Sequence, residues 1–335
     1  MPKLIIIPGA GSSELNWLDQ LIYFEEKQWQ KHFLHYQSEE YLSFHDCANA
    51  LSINLTEILK AGFSIKEDCI QEQSQDIELN NNLKTELNKN ILIAHSMGAM
   101  LLLKILTDNS NSEKLLEIKS LLKNTNIFLI QPPARTNTKL LKFLKTSQGL
   151  ISTIMKLHQP LKEPVAEWLR EIKLKNANAE LLAEGSKIGD RKFLTDLMWI
   201  LGAMHISAWG THPQVFKNLM NYYEEWEKYS PLTMFSNNDR SVISSNADGN
   251  AEIGVSLHAH NELLSRFTDL HDFNINITVS NSDIFCDKND SLKLAELLNA
   301  RVKEFDWTFH NPMHFPWSQK EFHNWLLESS QHGTE

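Results

Sequence analysis

Ser96 lies where one short apolar run stops and a second, of helical spacing, begins, in Asn90-Ile91-Leu92-Ile93-Ala94-His95-Ser96-Met97-Gly98-Ala99-Met100-Leu101-Leu102-Leu103. The pattern reads as strand, abrupt turn, helix. Such a turn pushes the serine into a strained backbone position beside the positive end of the helix, where its hydroxyl can serve as a nucleophile. Ala94 and Gly98 occupy the places where bulk would collide as the helix folds back over the strand. The same letters also fit an ordinary serine N-cap, so the chemistry needs an oxyanion site, an acid and a base elsewhere. Pro8-Gly9-Ala10-Gly11-Ser12-Ser13 offers glycines that let backbone N–H groups turn toward a negative charge, and it also fits a plain βα turn. Asp283, Asp287 and Asp290 are candidate acids, and His310 and His314 candidate bases. His205, His212, His258 and His260 have no acidic residue at ligand spacing and do not point to a metal.

Taken together these stretches resemble the α/β-hydrolase family. Ala94-His95-Ser96-Met97-Gly98 is similar to its G-x-S-x-G nucleophile elbow, with alanine in the first small position. Residues 4–17 resemble its oxyanion loop, with Pro8 in place of a histidine. Ser280-Asn281-Ser282-Asp283 resembles its acid-bearing loop, and His314-Phe315-Pro316-Trp317 its histidine loop, with Met313 where glycine is usual. The resemblance implies that Ser96 is the nucleophile, Asp283 the acid and His314 the base, in the chain order Ser, Asp, His. His310 remains an alternative base that directly follows the last apolar run, and Asp287 an alternative acid. Asp290 is placed to cap the helix that starts near residue 291. The N–H groups of Ala10 and Met97 would form the oxyanion hole. The implied reaction is cleavage of a carboxylic ester or thioester of a mostly apolar acyl group through an acyl-enzyme, needing no cofactor and no metal. Acyl transfer, a lyase reaction and a catalytically silent binding protein on the same scaffold stay open. Members that carry out haloalkane or epoxide chemistry have Asp at the elbow, where this chain has Ser96.

The elements that must position these groups follow the same pattern. Residues 4–7, 29–36, 91–95, 126–130, 273–279 and 303–309 read as strands of a mostly parallel sheet flanked by helices. The family's N-terminal antiparallel hairpin is expected to be missing. Residues 19–28, 48–60, 99–106, 291–299 and 321–327 read as helices. A further helix is expected within 65–88, and another over 258–267. Between residues 135 and 230 helical patterns follow one another at 139–144, 150–157, 164–174, 177–182, 192–206 and 213–229, without a strand. The resemblance makes this stretch a helical cap inserted in a core formed by residues 1–134 and 231–335. Met155, Trp168, Met198, Trp199, Met204, Trp209, Met220 and Trp226 lie in it, a composition that suits core packing and also favours an apolar ligand.

The 335 residues are 42% hydrophobic and 22% charged, as expected of a soluble globular chain large enough for an inserted domain. A formal charge of −10 argues against a nucleic-acid surface or a basic membrane anchor. No apolar run reaches transmembrane length, so no integral membrane segment is expected. Cys47, Cys69 and Cys286 are too few and too scattered for a disulfide framework. The apolar start, Leu4 to Ile7, breaks at Pro8-Gly9 before it is long enough for a signal-peptide core, which makes a cytoplasmic location the expectation. The expected partner is a small-molecule acyl ester or thioester, and oligomeric state is not legible.

Overall fold

The computed structural model describes residues 1–36, 43–61, 90–108, 110, 112–135, 137–182, 189–230, 232–233, 267–283, 285–306, 308 and 310–331. Six strands, β1 (Lys3–Ile7), β2 (Gln30–Phe33), β3 (Ile91–His95), β4 (Asn126–Ile130), β5 (Asn274–Val279) and β6 (Arg301–Glu304), form one sheet in the order β2-β1-β3-β4-β5-β6. All five pairings are parallel. A parallel sheet is covered on both faces, which is why β1, β3 and β4 read as unbroken apolar runs rather than alternating ones.

The two faces separate by residue parity. Ile5, Ile7, Leu92, Ala94, Ile127 and Leu129 point into one core, packed by α2 (Phe44–Lys60), α3 (Met97–Thr107) and α4 (Glu113–Lys123). Leu4, Ile6, Ile91, Ile93, Phe128 and Ile130 point into the other, with Phe24 of α1 (Leu18–Glu26) and Phe322, Trp325 and Leu326 of the C-terminal helix, Pro316–Gln331. Strand order reverses at β1, so a crevice opens between the carboxyl ends of β1 and β3, where open α/β sheets place their ligands.

Between β4 and β5 come α5 (Thr138–Thr146), α6 (Gln148–His158), α7 (Lys162–Leu182), α8 (Gly189–Ala208) and α9 (Pro213–Tyr229), and no strand among the described residues. The two patterns at 164–174 and 177–182 are one helix, α7. The helical insertion leaves and returns at one place: Trp226 Nε1 donates to the Pro133 carbonyl at 2.9 Å, and the Ser230 hydroxyl to that of Ala134. After β5, α10 (Lys288–Leu297) precedes β6, and the Pro316–Gln331 helix, α11, closes the chain. This is an α/β-hydrolase-like architecture with a helical cap insertion and no antiparallel strand among the described residues.

Three expectations are adjusted. The last strand stops at Glu304 instead of 309, because β6 is an exposed edge with no second neighbour to extend it. Asp287, not Asp290, caps α10 by accepting from the Asp290 N–H at 3.0 Å. Of the cap's Met and Trp residues, Met155, Met220 and Trp226 are buried, whereas Trp168, Met198 and Met204 are exposed. Trp199, and the helices expected within 65–88 and over 258–267 apart from Phe267, lie outside what is described at side-chain level.

Candidate active site

Ser96 adopts φ 50° and ψ −117° between β3 and α3. A non-glycine residue in that region is strained by about 1–3 kcal/mol and persists because its surroundings dictate it. Two contacts do so here. The Ser96 N–H donates to the Ile130 carbonyl at 2.9 Å, extending the β3–β4 ladder, while its own carbonyl starts α3 by accepting from Ala99 at 3.0 Å. Gly98 lets α3 lie against the end of β1: a Cβ there would come within 2.5 Å of the Ile7 carbonyl oxygen and 2.6 Å of that of Pro8. Gly9 plays the reciprocal part, since a Cβ on it would stand 2.5 Å from His95 Nδ1 and 3.2 Å from Ser96 Cβ. The loop holding Gly9 and Ala10 thus presses on the serine turn. The loop is fixed further by the Tyr36 hydroxyl, which donates to the Pro8 carbonyl at 2.8 Å. Met97 is the first residue of α3, so its N–H has no partner within the helix.

Asp283 lies four residues past the end of β5, with its side chain fully buried. Its Oδ1 accepts the Phe285 N–H at 2.7 Å and the Cys286 N–H at 3.1 Å, and its Oδ2 meets His310 Nδ1 at 2.7 Å. The carboxylate fixes the imidazole with its proton on Nδ1, leaving Nε2 as the acceptor. Cys286 Sγ lies 3.9 Å from the same Nδ1 and 3.1 Å from the Gln131 carbonyl oxygen. Burial, and then the Asp283 carboxylate, push the Cys286 thiol well above the usual cysteine range, so it is a protonated, unactivated thiol.

These distances correct the expected enzyme description. A carboxylester or thioester hydrolase with a Ser-Asp-His triad of Ser96, Asp283 and His314 is overturned. The described cluster is Asp283, Cys286 and His310, with cysteine where serine was expected. The reason is the path of the loop after β6. The short edge strand releases the chain early, and the run to His310 lies beside the Asp283 loop of the neighbouring strand. Successive turns, Asn311 N–H to the Thr308 carbonyl and His314 N–H to the Asn311 carbonyl, each 3.0 Å, set His314 further along the loop, still near enough to His95 to act on its charge but not the histidine that meets Asp283.

Three further residues belong to the site, and none was singled out from sequence. His95, immediately before the serine, places Nε2 2.9 Å from the His310 carbonyl oxygen. Burial, then the neighbouring His310, hold His95 well below the usual histidine range, so it is neutral and donates that bond. It ties the end of β3 to the His310 loop. Tyr223, from the cap helix α9, lies near the Ser96 hydroxyl, and burial pushes its phenol up to about 12, so the hydroxyl stays protonated. Phe285 lies with its ring centroid 4.9 Å from that of His310. Tyr223 and Phe285 also line a small apolar cleft, partly open to solvent, whose other walls include Leu140, Leu141 and Leu144 of α5. Only the pattern of small residues around Ser96 could have led to His95, and nothing local marks Tyr223 within an amphipathic helix.

No protein-family profile matches this sequence, and no curated protein matches it. Among solved structures, a carboxylesterase of the ammonia-oxidizing thaumarchaeon Nitrososphaera gargenis is similar at 12% identity and a TM-score of 0.42. That alignment covers 98% of this chain and 89% of that one. Likeness at this level carries no weight for activity, which has to be argued from the sheet order and the strained serine turn.

Proposed function

We propose that the protein is a hydrolase that cleaves a carboxylic ester or thioester of a mostly apolar acyl group through an acyl-enzyme on Ser96. The observation that carries the reading is the backbone of Ser96, φ 50° and ψ −117°, at the mouth of the β1–β3 crevice. Strain of that kind is retained where a side chain must be held out for reaction. The Ala10 and Met97 N–H groups are assigned to the oxyanion of the tetrahedral intermediate, supported by the close approach of Gly9 to Ser96 and by the position of Met97 at the start of α3. Tyr223 joins Ser96 to the leucine-walled cleft, which is assigned to the acyl chain.

The reading does not depend on a preformed triad. It uses two units: Ser96 with Tyr223, and His310 with Asp283. In acylation the Ser96 oxygen bonds to the carbonyl carbon, and the proton it loses ends on the departing alcohol or thiol. Water then adds to the acyl carbon, and its proton returns to the serine oxygen. The Asp283–His310 pair is the acid–base couple assigned to carry these protons, with Nε2 as the exchanging atom. The cap is assigned to residues 135–230, on a core of 1–134 and 231–335, because Trp226 and Ser230 both fasten back to the loop where the insertion departs.

The test is a comparison of kcat/KM across p-nitrophenyl esters and acyl-CoA thioesters from acetyl to dodecanoyl. Each methylene seated in the cleft contributes about 0.8 kcal/mol, roughly fourfold, so the profile should climb from acetyl until the cleft is full. A profile flat or falling from acetyl would overturn the assignment of the cleft.

A further inference from the structure

Asp283, Cys286 and His310 offer three different ligand atoms, a carboxylate oxygen, a sulfur and an imidazole nitrogen, all within 4.8 Å of one another. We infer that this cluster is an inhibitory binding site for a thiophilic divalent cation, with Zn²⁺ the chemically best fit. Its effect on turnover rests on the proposed role of His310 as the acid–base group, while the binding itself does not.

Geometry comes first. Tetrahedral zinc with bonds of about 2.0–2.3 Å needs ligand atoms roughly 3.3–3.6 Å apart. His310 Nδ1 is 2.7 Å from Asp283 Oδ2 and 3.9 Å from Cys286 Sγ. Opening the first separation by about 0.6 Å and closing the second by about 0.3 Å brings those two pairs to zinc-ligand spacing, and the Asp283 oxygen and Cys286 Sγ, within 4.8 Å of each other, draw together around the same ion. The Gln131 carbonyl oxygen, 3.1 Å from Cys286 Sγ, borders the fourth position, which it or a water would fill.

Charge favours the same occupant. An ionised Cys286 beside the Asp283 carboxylate would put two negative charges in a buried place. A divalent cation offsets both charges, and the imidazole joins as a neutral ligand, so the occupied site carries no net charge. The proton balance is definite. Cys286 releases one proton to solvent as its sulfur binds the metal. The proton on His310 Nδ1 gives way to the metal, and the neutral ring then carries its proton on Nε2. That nitrogen ceases to be an acceptor, and the acid–base couple is blocked while the metal stays.

The full-length protein is titrated with Co²⁺, read by its absorption, and with Zn²⁺, read by calorimetry in buffers of different ionisation enthalpy. One equivalent should bind, one proton should be released, and a thiolate-to-cobalt charge-transfer band should appear. Cys286→Ala should abolish the band and weaken binding beyond the roughly 10–100-fold typical of losing a ligand's supporting hydrogen bond. Far-ultraviolet circular dichroism checks that this variant folds, and Cys286→Ser provides a second variant of nearly unchanged volume. Absence of stoichiometric binding to the wild type, or an unaltered band in both Cys286 variants, overturns the site. A band that depends on Cys286 without loss of turnover leaves the site standing and removes His310 from the reaction.

Discussion

Replacing Ser96 by alanine and by glycine gives a pair of variants whose stability difference has a sign set by the backbone. Both lack the hydroxyl, so the lost contact with Tyr223 is common to them and cancels. What remains is the Cβ at φ 50° and ψ −117°. Holding a non-glycine residue there costs about 1–3 kcal/mol, and glycine adopts it freely. Against this stands the greater freedom of glycine in the unfolded chain, roughly 0.4–1 kcal/mol. Ser96→Gly should therefore be more stable than Ser96→Ala by about 0.5–2 kcal/mol, with both inactive. Urea unfolding reads this directly: with equal slopes, the glycine variant has the higher midpoint. In a helix interior the order is the reverse, alanine ahead by about 0.5–1 kcal/mol, whereas an unstrained N-cap gives glycine a lead of roughly 0.5–1 kcal/mol, so strain is marked by a glycine lead above about 1 kcal/mol. An alanine variant as stable as the glycine variant, or more so, would show that Ser96 is not strained and would remove the main support for its role.

His310→Ala should lower kcat by at least about 100-fold, whereas His314→Ala should have a much milder effect, since Asp283 is joined to the first and not to the second. Turnover of the two variants on one ester decides it, and the opposite ranking would refute the pairing. Leu144→Trp should fill part of the cleft and move the preferred acyl chain toward shorter lengths by several-fold per methylene excluded, read from the chain-length profile. His323, stacked on Tyr23 at 4.1 Å, is lowered by burial from 6.5 to about 4. The unfolded chain takes up that proton below about 6.5 while the folded one does not until about 4. Stability should fall as pH drops through that window, by about 3 kcal/mol in all from this residue, with His95 acting in the same direction. His323→Phe should flatten the acid limb of a plot of urea midpoint against pH, and an unchanged limb would show that His323 titrates normally.

What was legible in the sequence was what is local. The serine turn needs small residues two positions on either side of Ser96, and at Gly98 the need is set by the close approach of Ile7 and Pro8. The buried strands were legible because a parallel sheet covered on both faces leaves no polar alternation. The pairing of Asp283 with a histidine was not legible, because His310 and His314 differ only in how the chain turns after β6. An exposed edge strand gives little apolar signal, so the strand was expected to run to residue 309 and His310 to be its end, when it is already within the site loop. The approach of Cys286 to His310 depends on the loop after β5, and that of Tyr223 to Ser96 on how the cap lies over the core. The cleft is walled by leucines of α5 and not by the cap's methionines and tryptophans, a choice that helical periodicity alone does not make.

Formation of the acyl-enzyme is tested most directly by trapping it. The full-length protein is treated with a fluorophosphonate probe or an excess of p-nitrophenyl octanoate, quenched in acid, digested and analysed by mass spectrometry. One adduct per chain is expected, carried by the peptide containing Ser96 and lost in Ser96→Ala. An adduct on Cys286, or equal labelling of Ser96→Ala, would contradict it.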